Sequence, residues 1–429
     1  MDITLERTLK IEGEYDVVVC GAGPAGICAA VSSARLHKST LLIERYGVIG
    51  GNLTSGLVGP VMGRTAKGTM TDEINNLIGG DVPIKMAFDP ELAKIKLTQL
   101  LEENGVEFRL QTAVVDVLMN ENTIYGVVVS SALGLAAIKA KIVVDCTGDG
   151  TVSYLAGAEY RTGRESDGLQ QPVTIMFRMN GVDESIAINP GDWTFKVRMP
   201  KTKESDWFFK YCIDACDQKF LPKSVSLVRL YRTSRPGECH VNATHMNYIN
   251  GLDPKDISRA EAVLRKQIPV IVEFIKKNVQ GFEKCYLVNS STTLGIRDTR
   301  RIMGEYTLSR DDLESARKFD DVVVHDAWFF MDIHNMVGGG QTLTDVPPYD
   351  IPYRCLVPLG IENLFTAGRC ISGTHEAHAS YRIMSVCMST GQAAGIAAAL
   401  CIENKEKPRG LDYHKVQKRL LETGAILFD

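Results

Sequence analysis

Between residues 16 and 26 the chain reads DVVVCGAGPAG, and almost no side chain is spent after the apolar run YDVVVC. The run predicts a strand of a parallel sheet covered on both faces. A glycine turn over residues 21–26 follows, then a helix over AGICAAVSSARLHK, whose Ala25, Ala29 and Ser33 share one small face and predict close approach to the sheet. TLLIER reads as the next strand and ends at Glu44. Strand, G-x-G-x-x-G, helix and strand in that order confine this part of the chain to the dinucleotide-binding α/β class. Gly21 is placed for the tight turn, Gly23 for backbone approach to a pyrophosphate and Gly26 for helix–strand packing. Pro24 and Ala25 open the helix, whose amide N–H groups and partial positive charge face the phosphates. Glu44, at the end of the second strand, is spaced to accept both ribose hydroxyls.

FAD and NAD both fit this fingerprint, and three further features favour FAD. RYGVIGGNLTSG follows Glu44 at once and places Arg45, Gly50, Gly51 and Asn52 along an extended cofactor. A later apolar strand ends in DCTGDG, with Thr147 and Gly148 at a second tight approach. LFTAGRCISG brings Gly368 and Arg369 just before a small-residue helix containing Gly391, and a helix start there stabilises negative charge on a flavin ring. Val114, in TAVVDV, completes the expected cofactor contacts.

The remainder of the chain sets the domain plan. DPELAKIKLTQLLEENG carries a capping Asp89, a first-turn Pro90, a buried stripe of Ala93, Leu97, Leu100 and Leu101, and a terminal Gly105. VEFRL, TAVVDVLM, IYGVVVSS and AAIKAKIVVD read as strands of a β-meander. From about residue 165 aromatics gather (Trp193, Trp207, Phe208, Phe209, Tyr211), and a long helix is expected over roughly 255–280, started by Asp253–Pro254 and kinked at Pro269. The glycine-rich style returns near residue 364. The fold class expected is therefore α/β: a Rossmann-like FAD-binding domain with a β-meander over 1–164 and 351–429, interrupted by an inserted α+β substrate domain over 165–350.

Composition closes several alternatives. With 429 residues, 45% hydrophobic and 23% charged, the balance is that of a soluble globular protein. A net charge of −4 offers no field for nucleic acid or an anionic membrane. MSVCMSTGQAAGIAAALCI (384–402) approaches membrane-spanning length but carries Ser, Thr, Gln and two glycines, and is read as a closely packed buried helix. The first residues show no secretory pattern, so a cytoplasmic location is expected. Eleven cysteines without CxxC spacing predict no disulfide framework and no metal site; Cys212 and Cys216 are read as ordinary thiols.

GAGPAG, LLIER…GVIGGNLTSG, VVDCTGDGTVSYLAGAEY, GIRDTRRIMGEYTL and the block from IPYRCLVPLG to GQAAGIAAAL together resemble the FAD-dependent oxidoreductases whose cofactor domain is similar to that of fumarate reductase/succinate dehydrogenase flavoproteins. The resemblance implies bound FAD and two-electron chemistry; it supplies no substrate. No second G-x-G-x-x-G and no redox CxxC is present, so electrons are expected to pass between FAD and a small-molecule substrate or an unidentified separate carrier.

Candidate chemistry lies in three places. GTHEAHAS offers His375, Glu376 and His378, and the two histidines would point alike on a helix; either is a proton carrier or a ligand of backbone or cofactor. GIRDTRR groups Arg297, Arg300 and Arg301, read as a carboxylate clamp or as ion pairs with Asp298 and Glu305. Arg382 holds substrate or positions the flavin. The catalytic set is thus His375, His378, Arg382 and Arg297. Tyr353 is a proton donor or packing, and HNMVGGGQTLTD (334–345) a mobile loop over the pocket or an ordinary turn. The leading expectation is hydride transfer between flavin N5 and a small organic substrate, with a carboxylated one as one reading of the arginines. An oxygen-activating monooxygenase or halogenase and a non-catalytic flavin-binding protein are the alternatives.

Overall fold

A computed structural model describes residues 6–79, 88–187, 221–225, 227–336 and 341–428. The opening apolar run forms β1 (Lys10–Cys20), its last four residues buried, and the glycine turn leads into α1 (Pro24–Arg35). β2 (Thr40–Ile43) lies parallel to β1. After α2 (Met70–Gly79), α3 (Pro90–Glu103) starts as its sequence dictates: Asp89 accepts the Glu91 N–H and Pro90 occupies the first turn. Ala93, Leu97, Leu100 and Leu101 are its buried face, and Gly105 turns the chain at φ 67°. β3 (Glu107–Arg109) pairs parallel with β2, and β4 (Ala113–Asn120), β5 (Thr123–Ser131) and β6 (Gly134–Asp145) form the antiparallel meander. β6 also runs parallel to β1. The sheet order is β3-β2-β1-β6-β5-β4, with a late strand, Leu364–Thr366, parallel to the end of β6.

Beyond α4 (Thr151–Leu155), β7 (Tyr160–Thr162) leads to a second, four-stranded antiparallel sheet with its own apolar core. That sheet holds β8 (Phe177–Asn180), β9 (Arg229–Arg232) and β10 (Glu238–Asn242). α5 (Pro254–Asn278), capped by Asp253, covers it with Leu264, Ile268, Ile271 and Ile275 and runs on through Pro269. β11 (Tyr286–Ser290) is the edge strand, giving the order β11-β8-β10-β9. β12 (Arg300–Ile302) returns to pair with β7. α6 (Arg310–Glu314) and β13 (Val322–Ala327) follow. Segment 334–345, read as a loop, contributes to the antiparallel pair β14 (Met331–His334) and β15 (Gln341–Thr344), and residues 337–340 lie outside the described residues. Trp193, Trp207, Phe208, Phe209, Tyr211, Cys212 and Cys216 also lie outside them.

β16 (Tyr349–Pro352) precedes the strand Leu364–Thr366 (β17), α7 (His375–Tyr381), α8 (Met384–Asn404) and α9 (Tyr413–Glu422). α8 is long and apolar enough to cross a membrane by length and composition, and it is buried inside this fold. It crosses α1 at backbone distance: a Cβ on Gly391 would stand 2.1 Å from the Ala25 carbonyl oxygen, and one on Gly395 2.2 Å from that of Ala29. This corrects two expectations. The small face of α1 made by Ala25 and Ala29 meets α8, not the sheet, and Gly391 serves this helix crossing. Ser33 alone of the three turns toward the sheet, where its hydroxyl accepts from Thr40 at 3.1 Å.

Candidate active site

The glycine turns from distant parts of the sequence converge at the carboxyl ends of β1, β6 and β17, the edge where open parallel sheets bind ligands. Gly21, at φ 99°, lies so close to the β6 turn that a Cβ would be 2.6 Å from the Cys146 carbonyl oxygen. A Cβ on Gly26 would be 1.8 Å from the Gly21 oxygen, so α1 starts against its own turn. Gly50 (φ 102°) donates its N–H to the Ala22 carbonyl at 2.7 Å, stitching the second glycine cluster to the first. Gly368 donates to Thr390 Oγ1 at 3.0 Å and sits against Ala25. Gly23 is different: a Cβ built on it meets nothing within 4 Å. The opening of α1, before Pro24 and Ala25, thus faces open space walled by Gly51, whose Cβ would reach 3.0 Å from the Gly23 Cα. A backbone cradle at a helix N-terminus, empty where a side chain would stand, fits the pyrophosphate of an extended dinucleotide.

Glu44 fits the adenosine end. It is buried, its Oε2 accepts the Ala22 N–H at 2.7 Å and its Oε1 the Tyr46 N–H at 3.0 Å, so both oxygens are fixed and keep lone pairs for hydroxyls. Thr112 N–H bonds the Glu44 carbonyl at 2.9 Å, which brings the start of β4, with Val114, alongside. At the β6 turn Thr147 Oγ1 donates to Asp145, and Gly148 is at φ 73°. Arg369 and Arg45 both reach Asp149, at 2.6 and 3.4 Å, while Thr299 donates to the same carboxylate. Burial opposes charge on Asp149, but the two arginines outweigh it and keep the carboxyl below its ordinary value. The structure therefore ties the expected cofactor arginines into the walls of the cleft. Asn52 is the middle residue of the 3₁₀ turn Gly51–Leu53. The loop beyond it carries Leu57, which packs on Met176 and Tyr231 of the second sheet region, and the Leu57 carbonyl lies 2.9 Å from His240 Nδ1.

α7 begins a few residues after the Gly368 turn, its Thr374 hydroxyl capping the Ala377 N–H. His375 and His378 do fall on a helix, as the alternative to a loop required, and both are buried. None of their four ring nitrogens has a hydrogen-bond partner among the described residues. His375 Nδ1 stands 3.2 Å from Asp298 Oδ2, near enough for an ion pair but off the line of a hydrogen bond. Burial, reinforced by Arg301, Arg382 and Arg369 against the pull of Asp298, drives the His378 ring well below the usual histidine range, so it is neutral at pH 7. Asp298 also pays for burial, yet His375 and Arg301 hold it ionised. Of the three arginines in GIRDTRR, Arg301 pairs with Asp298 at 3.2 Å, as one reading anticipated. Glu305 is taken instead by Arg409 at 2.6 Å, and Arg300 lies over the Tyr154 ring at 3.9 Å. Tyr353 is a packing residue: its buried hydroxyl bonds the Pro408 carbonyl at 2.6 Å.

Arg382, the C-cap of α7, reaches across to β14, where its Nη2 lies 3.5 Å from Asp332 Oδ2. His334 Nε2 lies 3.4 Å from the same oxygen. Beyond it a narrow pocket is lined by His334, His245, Arg229 and Arg297. Sequence reasoning singled out Arg297 and Arg382 but missed Arg229, His245, Asp332 and a role for His334, since each comes from a different strand or loop and no spacing links them. Among the described residues no group of His, Cys, Asp and Glu could hold a metal ion, and every described cysteine is a buried free thiol.

The sequence profile described as "FAD dependent oxidoreductase" matches residues 16–420. Among curated proteins, a thiamine thiazole synthase of Aeropyrum pernix is 31% identical over 34% of this chain and 58% of its own length. A tRNA uridine 5-carboxymethylaminomethyl modification enzyme of Alkaliphilus oremlandii is 29% identical over 32% of this chain and 24% of its own. This chain therefore spans between a quarter and three-fifths of those relatives. A geranylgeranyl bacteriochlorophyll reductase-like structure from Thermoplasma acidophilum superposes over 96% of this chain and 84% of its own, with a TM-score of 0.48 at 15% identity.

Proposed function

The chain belongs to the FAD-dependent oxidoreductase family, and from that premise we propose that it moves a hydride between FAD and a small organic substrate held against α7. Bound FAD supplies the two-electron step, its N5 taking or giving hydride. Gly21, Gly23 and Gly26 with the start of α1 would hold its pyrophosphate, and Glu44 its ribose. What supports the reading is the pair His375–His378: two buried rings, four unpartnered nitrogens, next to the glycine bed. Buried polar atoms without partners cost about 1–3 kcal/mol each, so such a cluster persists where a ligand completes it. His378, held neutral, can accept a proton at one ring nitrogen and donate from the other. Asp298, paired with Arg301, stands 3.2 Å from His375 Nδ1 and favours a proton on that ring, and His375 Nε2 is the atom assigned to take or return the substrate's proton. Burial of both rings keeps bulk water from that proton.

The test is anaerobic. The purified holoenzyme is screened with alcohols, amines, carboxylates and enoates, following bleaching of the oxidised flavin and reoxidation of the photoreduced one. At least one class should exchange electrons without oxygen, and His375→Gln should slow that exchange by about 10²-fold or more with the flavin still bound. Electron exchange that requires oxygen, or a His375→Gln enzyme as fast as wild type, would overturn the proposal.

A further inference from the structure

We infer that the pocket where Arg229 and Arg297 meet His245 and His334 seats a carboxylate group of the substrate. This rests on α7 being the reaction face, because the pocket connects to it through Arg382 and Asp332.

The argument is one of unbalanced charge. Among the described residues no carboxylate pairs with Arg229 or Arg297. Among the described residues Arg297 has one hydrogen bond, from Nη1 to the Pro172 carbonyl at 2.6 Å. Asp332, whose charge acts on both Arg297 and Arg229, is already shared by Arg382 and His334. Two guanidinium groups facing one pocket, with Asp332 attracting both from a distance but bonded to Arg382 and His334, repel each other, and an arriving anion relieves both. Burial, and then Arg382, lower the Arg297 guanidinium to about 9, which leaves it protonated at neutral pH. His334, buried and pressed by Arg297, is lowered to about 3, and His245, buried beside Arg297, to about 4, so both are neutral and do not add to the repulsion. Close by, Gln171 is fully buried; its Oε1 accepts the His334 N–H at 3.3 Å and its Nε2 donor is unpartnered among the described residues.

Chemistry narrows the anion. Phosphate sites are commonly built from backbone amides of a helix start or glycine nest. This pocket instead borders paired strands, with Arg229 on β9 directly opposite Asn242 on β10, and presents planar guanidinium forks. Those suit a planar, two-oxygen carboxylate.

Isothermal titration of the oxidised holoenzyme with acetate, succinate and benzoate, against their amides and inorganic phosphate, tests the inference. At least one carboxylate should bind and its amide should not. Arg229→Gln and Arg297→Gln should each weaken that binding about ten-fold or more. Arg297→Gln also loses the bond to Pro172, so Arg229→Gln, whose side chain has no ion-pair partner among the described residues, is the cleaner variant. Failure of all three carboxylates to bind, unchanged affinity in Arg229→Gln, or a preference for phosphate would overturn the inference. The two readings fail separately. Carboxylate binding lost in both variants, with no anaerobic electron exchange, keeps the seat and removes the hydride reaction; exchange with uncharged substrates alone does the reverse.

Discussion

The glycine bed and the charged face of α7 are neighbours built by opposite means. The bed and the α1–α8 crossing behind it are backbone: Gly21 and Gly26 in the one, Gly391 and Gly395 in the other, each stand where a single methyl would strike a carbonyl at 1.8 to 2.6 Å. The α7 face is side chain: Asp298, Arg301, Asp332, His375, His378 and Arg382, brought from three separate segments and balanced by charge. Positions of the first kind tolerate no added atom and are indifferent to pH. A site of the second kind accepts changes of shape more readily but depends on which protons are present. Each prediction below sets one property against the other.

The largest effect belongs to the bed. In Gly26→Ala the new methyl meets the Gly21 carbonyl, a backbone atom that no rotamer can move, and the variant should yield no stable yellow protein. Gly395→Ala places its methyl against the Ala29 carbonyl in the α1–α8 crossing and should cost roughly 3 kcal/mol or more, read from urea unfolding. A Gly26→Ala protein that purified with flavin and an unchanged midpoint would break the claim that this region is closed by backbone contact.

The next effect belongs to the charged side. His240 and His245 are lowered by burial to about 4, and His334 to about 3, from an ordinary 6.5. Unfolding lets each ring take up a proton that the folded protein refuses. The stability they leave intact above pH 6.5 is therefore lost as pH falls from 6.5 toward 4, by on the order of 3 kcal/mol per ring at the bottom of that window. Urea midpoints at pH 7.5 and 5 should differ strongly, and His240→Gln, which leaves the α7 cluster intact, should reduce the difference. A midpoint flat between those two values would show that the histidines titrate normally and that the burial argument fails.

The same contrast explains what could be read from the sequence. A site made of backbone needs glycine at fixed intervals behind a strand, and those intervals survive in the linear text; hence Gly21, Gly23, Gly26, Glu44 and the turns at Gly148 and Gly368 were legible, as was the parallel sheet with its meander. Gly391 was assigned to the cofactor because a small-residue helix beside a glycine turn looks the same whether it faces a ligand or another helix; only its approach to Ala25 separates the two. A site made of side chains leaves no interval. Arg229 reads as an ordinary strand residue, and Asp332 and His334 belong to a strand, β14, that runs into the glycine-rich stretch read as a loop. Arg301 and Asp298 were legible as a pair because three residues separate them, whereas the Glu305–Arg409 pair spans 104 positions.

The smallest effect on stability is the sharpest discriminator, because it changes one residue of the bed that the fold does not need. Gly23 caps α1 at φ −75° and ψ −175°, a conformation alanine adopts freely, and its Cβ meets nothing within 4 Å. Gly23→Ala should therefore leave the apoprotein within about 1 kcal/mol of wild type, shifted if anything upward by the smaller entropy of the unfolded chain. The methyl enters the space assigned to the pyrophosphate, so FAD affinity should fall about ten-fold or more, measured by flavin release on dilution. Set beside Gly26→Ala, three residues away, the pair separates glycine kept for the fold from glycine kept for the ligand. If Gly23→Ala unfolds, the space is not open; if it holds FAD as tightly as wild type, the pyrophosphate lies elsewhere, and the bed is a packing motif only.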